Sequence, residues 1–398
     1  MENPGLTRMA KVGGDAAADL ERGSAVVAMA GAGQLAQMTH QAAISLGVEL
    51  RVLAASESDS AVRAGAPALI APQPEEEDLR ELAAGADVLT FDHEGLPPDL
   101  LARLEADGVR LEPSAASKLL AQDKLRGRRE LSRLGFPLPP FVAVSSREEV
   151  EAFGERHGWP LVAKLPRGGY DGRGVFELED GAAAARLLEA TGVELLIEPR
   201  LEIERELAVL VARVREGESA VYPVAETVQR EAICREILVP APVSAPLSER
   251  AGGLALEIAA AIGSTGVLAV EMFVVGGELL INELALRPHN SGHFTIEGCA
   301  TSQFEQHLRA VLGWPLGDPG LRAPAVVTAN VLGPADGSDP RSRVPAALAA
   351  GNAHVHLYGK APRPGRKLGH VTVLGTDLGQ VRAEAVRVAQ VLERGTDG

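Results

Sequence analysis

The sequence is short of cysteine, of long apolar runs and of positive charge. Its two cysteines, Cys234 and Cys299, stand apart with no Cys-x-x-Cys spacing. They supply neither a disulfide framework nor a zinc site, and they fit a reducing compartment. The longest apolar runs, such as residues 267–270 and 272–275, fall far below the length that spans a bilayer. Lys and Arg number 39 against 54 Asp and Glu, a formal charge of −15, which excludes a general nucleic-acid binder with its basic footprint. Residues 1–24 have no apolar h-region and carry scattered acids, so they read as a disordered leader rather than a signal or transit peptide. The expected location is cytoplasmic. What is present suits a soluble globular protein: 398 residues, 46% of them apolar, are enough for two or three domains.

Residues 25–30 form an apolar strand ending at Gly31-Ala32-Gly33. Residues 34–46 carry the helical spacing Leu35, Met38, Ala42, Leu46, and Gly47 is a stop signal. Further strands are expected at 48–54 and 87–91, with a helix at 78–84. This alternation predicts a doubly wound parallel sheet over residues 25–114. A helix over 115–134 then leads to a Pro-rich break at 137–140, and strands at 161–165 and 175–178 flank a glycine loop. More strands are expected at 194–197, 206–214 and 220–224, a helix at 252–262, and a hairpin joining 266–275 to 278–286. The fold class is therefore α/β and α+β. A mixed unit covers residues 115–332, and a small α/β unit with its tail covers 333–398.

Four places carry chemistry. Residues 31–36, Gly-Ala-Gly-Gln-Leu-Ala, match G-x-G-x-x-A between a strand and a helix, with Glu57 after the second strand. The glycines either admit an anion to the helix N-terminus or only make a tight turn. Lys164 lies in an apolar strand, and residues 167–174 follow with four glycines among eight residues. Such a loop can fold successive N–H groups over phosphate oxygens while a lysine neutralises them from below; the alternative is an ordinary hairpin turn. Glu271 and Glu283 stand in apolar surroundings on the two arms of the later hairpin. A two-residue turn would throw them onto opposite faces, so a three-residue loop over 276–278 is expected, setting them opposite each other. Two carboxylates so placed repel unless a divalent cation such as Mg²⁺ joins them. Beside them, Arg287, His289, Asn290 and His293 can grip a small planar anion. Near the end, Tyr358, Lys360, Arg366, Lys367 and His370 form a basic cluster that is either a phosphate site or a solvated face.

Together these strings resemble the ATP-grasp superfamily. More narrowly they are similar to the N5-carboxyaminoimidazole ribonucleotide synthetase family of purine biosynthesis. The family's motifs appear at residues 33–35, 90–94, 122–124, 169–174, 282–285, 287–293, 302–307 and 366–370, in the family's order. The resemblance implies that bicarbonate is joined to the amine of 5-aminoimidazole ribonucleotide, with ATP cleaved to ADP and phosphate through carboxyphosphate. By the same resemblance, ATP would meet Lys124, Lys164, the lid residues Gly169, Tyr170, Asp171, Gly172, Arg173 and Gly174, and the segment Glu198, Pro199, Arg200 and Leu201. Glu206, Gln229 and Asn282 would border it, although Gln229 stands where some relatives carry His. Glu271 and Glu283 would hold Mg²⁺, and Arg287, His289 and Asn290 would position bicarbonate. The nucleotide would meet Gln34, Leu35, Glu94, Tyr170, Asp171 and Arg173, with its phosphate near Lys360, Arg366 and Lys367. A homodimer and a downstream mutase partner are implied in the same way. The rival readings are another ATP-grasp ligase of the formate-dependent transformylase type, a Rossmann NAD-binding enzyme built on residues 31–36, and a non-catalytic nucleotide-binding regulator.

Overall fold

The computed structural model describes residues 24–169 and 174–394. Residues 1–23 of the expected leader and the lid-tip residues Tyr170, Asp171, Gly172 and Arg173 lie outside the described residues. Val27, Ala28, Met29 and Ala30 are fully buried, as a strand covered on both faces requires. They belong to β1 (Val26–Ala30), which lies with β2 (Glu49–Ala54), β3 (Ala68–Ile70) and β4 (Val88–Phe91) in a parallel sheet of order β3-β2-β1-β4. The crossovers are α1 (Gln34–Leu46), α2 (Ser60–Arg63) and α3 (Glu76–Ala83), and α4 (Pro98–Ala106) follows. Gly47, at φ 66°, ends α1 in the left-handed conformation that glycine adopts most readily.

The long helix expected over 115–134 is two helices, α5 (Ala115–Gln122) and α6 (Lys124–Arg133). Asp123 breaks it. Its backbone is extended (φ −118°, ψ 104°), and its carboxylate accepts from the Arg126 N–H at 3.1 Å, capping the second helix. Buried Leu125, Arg128 and Leu131 follow at three-residue spacing, so helical periodicity alone runs straight through the break.

The glycine loop sits in a small sheet made of β5 (Val142–Val144), β6 (Leu161–Lys164), β7 (Val175–Leu178) and β8 (Leu195–Pro199), in the order β5-β8-β6-β7. The helices α7 (Arg147–His157) and α8 (Gly181–Thr191) cover it over a core of Val144, Val150, Leu161 and Ile197.

A nine-stranded sheet holds the remaining strands. They are β9 (Arg205–Arg213), β10 (Ser219–Val221), β11 (Ala225–Arg230), β12 (Ile233–Val239), β13 (Gly266–Val275), β14 (Glu278–Ala285), β15 (Ala325–Leu332), β16 (His354–Leu357) and β17 (Lys367–Gly375). The order is β14-β13-β9-β11-β12-β15-β17-β16, with β10 beside β9, so the last two strands extend this sheet through β15 rather than making their own. Its helices are α9 (Ala245–Ala261), α10 (Thr295–Gly298), α11 (Gln303–Leu312), α12 (Val344–Ala350) and α13 (Leu378–Arg394). The expected start of α9 at residue 252 is corrected to Ala245. Pro246 in the first turn is pre-set for a helix start, and Gly252 and Gly253 are tolerated inside because Ala251, Ala255 and Ile258 bury against the sheet.

The β13–β14 hairpin corrects a second expectation. Val275 pairs with Glu278 across a two-residue turn, Gly276 and Gly277, whose φ values of 58° and 75° suit glycine. Glu271 nevertheless lies opposite Glu283. Met272 pairs with Ile281, so Asn282 is the extra residue of a β-bulge that restores the facing register.

Asp123→Ala should cost about 1 kcal/mol through loss of the cap. Urea unfolding followed by circular dichroism measures it, and an unchanged midpoint would show that the break needs no cap.

Candidate active site

At the top of β1, Gly31 has φ 114°, and a Cβ there would lie 1.6 Å from Asp92 Oδ1. The Gly33 N–H donates to Asp92 Oδ2 at 2.7 Å. The glycines thus admit the Asp92 carboxylate to the start of α1, where a pyrophosphate would otherwise sit. Glu57 is exposed and does not line the neighbouring cavity. This arrangement does not suit a dinucleotide.

That cavity encloses about 2340 Å³ between the three sheets. Gln34, Leu35, Glu94, Lys124, Lys164, Gly169, Glu198, Pro199, Arg200, Leu201, Glu206 and Gln229 line it. So do Glu271, Asn282, Glu283, Arg287, His289, Asn290, Lys360, Arg366 and Lys367. Gly174 lies outside that lining, its carbonyl accepting from the Leu165 N–H at 2.8 Å. Four lid positions, Tyr170, Asp171, Gly172 and Arg173, are outside the described residues.

The cations reach the cleft as partners of carboxylates. Lys164 and Glu198 stand on adjacent antiparallel strands, Val162 facing Glu198 and Lys164 facing Leu196, so the two share a face on a diagonal. Their charges are 2.7 Å apart, and Arg128 of α6 reaches the same carboxylate at 2.7 Å. Burial lowers the Lys164 pKa, though Glu198 opposes the shift. For Glu198 burial works against ionisation, but Lys164 and Arg128 outweigh it and hold the carboxyl below its usual range. Glu198 therefore turns its charge to these two cations. Lys164 also donates to Asn282 Oδ1 at 3.1 Å, and Lys124 donates to Glu283 Oε1 at 2.7 Å.

Glu271, by contrast, holds its proton more tightly than an ordinary carboxyl. Burial, with Glu283 and then Glu206 adding their repulsion, pushes its pKa up to about 8. Glu206, opposite Phe273 on β9, is itself raised by burial while accepting from Gln229 Nε2 at 3.3 Å. Facing carboxylates that resist joint ionisation fit a divalent cation. Among the described residues no cluster of three or more His, Cys, Asp and Glu side chains could hold an ion, so two carboxylates would need phosphate oxygens to complete the shell.

The segment after β14 brings Arg287, His289 and Asn290 to the same wall. Arg287 Nε is 3.2 Å from Glu94 Oε1. The Gln303 side chain grips His289 at both ends, accepting from its N–H at 2.8 Å and donating to its carbonyl at 2.7 Å. Burial, with Arg287 and Lys367 adding to it, drives the His289 pKa down to about 3, so its ring is neutral and its 3.8 Å approach to Glu271 is no ion pair. His293 of the same string faces the interior instead, stacked 4.7 Å from His370 and outside the cleft lining. Its expected part in gripping an anion is corrected: the short 3₁₀ turn Asn290–Gly292 carries it past the cleft. The basic cluster divides likewise. Buried Tyr358 bonds His370 at 2.7 Å, whereas Lys360 donates to Gln34 Oε1 at 2.6 Å across the cleft. Arg366 stays at the rim, on the Ala361 carbonyl at 3.1 Å.

Sequence reasoning placed Asp92 and Gln303 in family motifs without giving them a role, and it missed Lys118 and Arg128. The last two had a legible signal: Lys118 shares its helix face with buried Ala115 and Ala121, and Arg128 with Leu125 and Leu131. A cation on the buried stripe of a helix demands a counter-charge.

Comparison with known proteins then places the chain. It matches the ribonucleotide synthetase preATP-grasp domain over residues 25–122, the ATP-grasp domain over 129–304 and the phosphoribosylaminoimidazole carboxylase C-terminal domain over 326–384. It is 49% identical over 389 residues to the N5-carboxyaminoimidazole ribonucleotide synthase of Mycobacterium tuberculosis, covering 94% of this chain and 89% of that protein. The Corynebacterium ammoniagenes synthase is 42% identical, with 93% and 92% covered. The solved synthetase of Thermus thermophilus superposes with a TM-score of 0.83 at 37% identity, covering 93% of this chain and 98% of that one. The Aspergillus clavatus enzyme in complex with ADP and 5-aminoimidazole ribonucleotide gives 0.84 at 32% identity, with 93% and 98% covered. The chain belongs to the N5-carboxyaminoimidazole ribonucleotide synthase family, ATP-dependent ligases of purine biosynthesis built on the ATP-grasp fold.

Proposed function

We propose that this protein joins bicarbonate to the exocyclic amine of 5-aminoimidazole ribonucleotide, cleaving ATP to ADP and phosphate. One observation carries the reading. A single cleft is lined by paired lysines and facing carboxylates suited to a triphosphate, by an Arg287–His289–Asn290 segment suited to a small anion, and by Gln34 and Lys360 on the side of the parallel sheet.

In this reading a bicarbonate oxygen attacks the γ-phosphorus and ADP leaves. The nucleotide's amine then attacks the carboxyl carbon of carboxyphosphate, losing a proton as phosphate departs. Lys124 and Lys164 neutralise the phosphates, and Lys124 must exchange Glu283 for phosphate oxygens when they arrive. Arg287, held beside Glu94, supplies fixed positive charge where the anion gathers. Neutral His289 donates or accepts a hydrogen bond without repelling Arg287. Mg²⁺ on Glu271 and Glu283, when bound, would neutralise charge on the transferred phosphoryl group. Carboxyphosphate is short-lived in water, so the glycine loop beyond Lys164 has to exclude solvent. The 5′-phosphate is assigned to Lys360, Arg366 and Lys367.

The low cysteine content, Cys234 and Cys299 alone, supports a reducing, cytoplasmic setting. A homodimer and a mutase that takes the labile product onward rest on the family resemblance alone.

A coupled ADP assay with each substrate omitted in turn tests the reaction: ADP release should require both the nucleotide and bicarbonate, and formate should not substitute. Release that persists without the nucleotide would sink the proposal. Glu283→Gln should lower kcat about 100-fold or more, as loss of a group that holds charge in the transition state does. The carboxyl of Glu271, at about 8, is protonated below that pH and must lose its proton to bind a cation. The affinity for Mg²⁺–ADP should therefore climb from pH 6 to pH 8 by up to roughly tenfold per pH unit and level off above. Calorimetric titration across that range measures it, and Glu271→Gln should flatten the curve.

A further inference from the structure

Lys118 is completely buried, at 0% exposure, on the inner side of α5. Its ammonium lies 2.6 Å from Glu94 Oε2, 2.8 Å from the His93 carbonyl and 4.5 Å from the centre of the Phe91 ring. Burying an ammonium is costly unless a counter-charge is held against it, and Glu94 is that counter-charge. Glu94 lines the cleft; Lys118 does not. The other oxygen of Glu94, Oε1, is buried with no hydrogen-bond partner among the described residues, and so is Arg287 Nε, 3.2 Å away. An acceptor and a donor, ion-paired but neither of them hydrogen-bonded, thus sit side by side where the proposed function brings the two substrates together.

We propose that Lys118 is a positioning residue for the nucleotide substrate: it holds Oε2 of Glu94 from behind the cleft wall and leaves Oε1 as the acceptor for a substrate N–H or O–H. This rests on the function proposed above. A fixed acceptor beside a fixed guanidinium binds a neutral donor next to an anion, which is the pairing that an amine attacking a carboxylated phosphate requires. Without Lys118, the Glu94 carboxylate would be free to rotate and turn its 3.2 Å ion pair with Arg287 into a hydrogen bond, and the acceptor would be consumed within the protein.

The test is a double-mutant cycle on the full-length protein in the ADP assay, using Lys118→Met, Glu94→Gln and the pair together. Lys118→Met should raise the KM for 5-aminoimidazole ribonucleotide about tenfold or more, change kcat less, and leave the KM for ATP within about twofold. If Lys118 acts through Glu94, the double variant should match Glu94→Gln within about twofold. A nucleotide KM unmoved by Lys118→Met, or losses that multiply in the double variant, would overturn the proposal. If Lys118→Met does not fold, the double variant decides, since it removes both members of the Lys118–Glu94 pair and leaves Arg287 in the same state as Glu94→Gln does: any further rise in KM above that of Glu94→Gln rejects the role. Wild-type ADP release independent of the nucleotide would remove the parent reading and this inference together. Nucleotide-dependent release with an unmoved KM in Lys118→Met removes only the inference.

Discussion

The pairing of buried cations with carboxylates from other segments holds this molecule's parts in register. Helices α5 and α6 lie where the three sheets meet, and beside their apolar packing each sends out cations that cannot be left alone. Lys118 reaches the loop after β4, Arg128 reaches Glu198 in the lid sheet and the Ile281 carbonyl of β14, and Lys124 reaches Glu283. The break at Asp123 lets two short helices point their cations in different directions, which one straight helix would not do. Withdraw a partner and an uncompensated charge remains inside, so the docking of the sheets and the layout of the cleft follow from the same pairs.

These pairs also set the electrical character of the site. The chain carries −15 overall, yet Lys124, Lys164, Arg128 and Arg287 line one cleft, and Lys118 stands behind its wall against Glu94. Each is balanced at rest by a carboxylate, and the balance is uneven. Glu94 and Glu198 are held ionised by their cations, whereas Glu271 is pushed toward its protonated form by burial and by its neighbours. The region thus has firmly fixed ion pairs at its edges and one carboxyl at its centre whose charge depends on what binds. His289, stripped of charge by burial, adds hydrogen-bonding capacity without adding to the field.

Much of this was legible in the linear sequence, and the failures have physical causes. The strand, glycine turn and helix at the start were read to within a residue, because apolar run, turn and periodicity agree there. The facing of Glu271 and Glu283 was read correctly for the wrong reason. The turn has two residues, and a bulge at Asn282, which no spacing announces, recovers the register. The break at Asp123 was missed because the buried face keeps its period across it. The glycines of residues 31–33 were legible as a close approach, but that the approaching group is Asp92 depends on a contact spanning some 60 residues of chain.

By itself the sequence determined the class of fold, the family, and the side chains that bear the chemistry, since period, turn residues and short strings are local properties. Only the tertiary structure decided how those side chains are used. It assigned Glu198 to two cations, turned His289 to the cleft and His293 to the core, and made Lys118 the hidden support of Glu94. The reason is that a charge's partner, its burial and hence its protonation depend on distances through space, and segments remote in the chain set those distances.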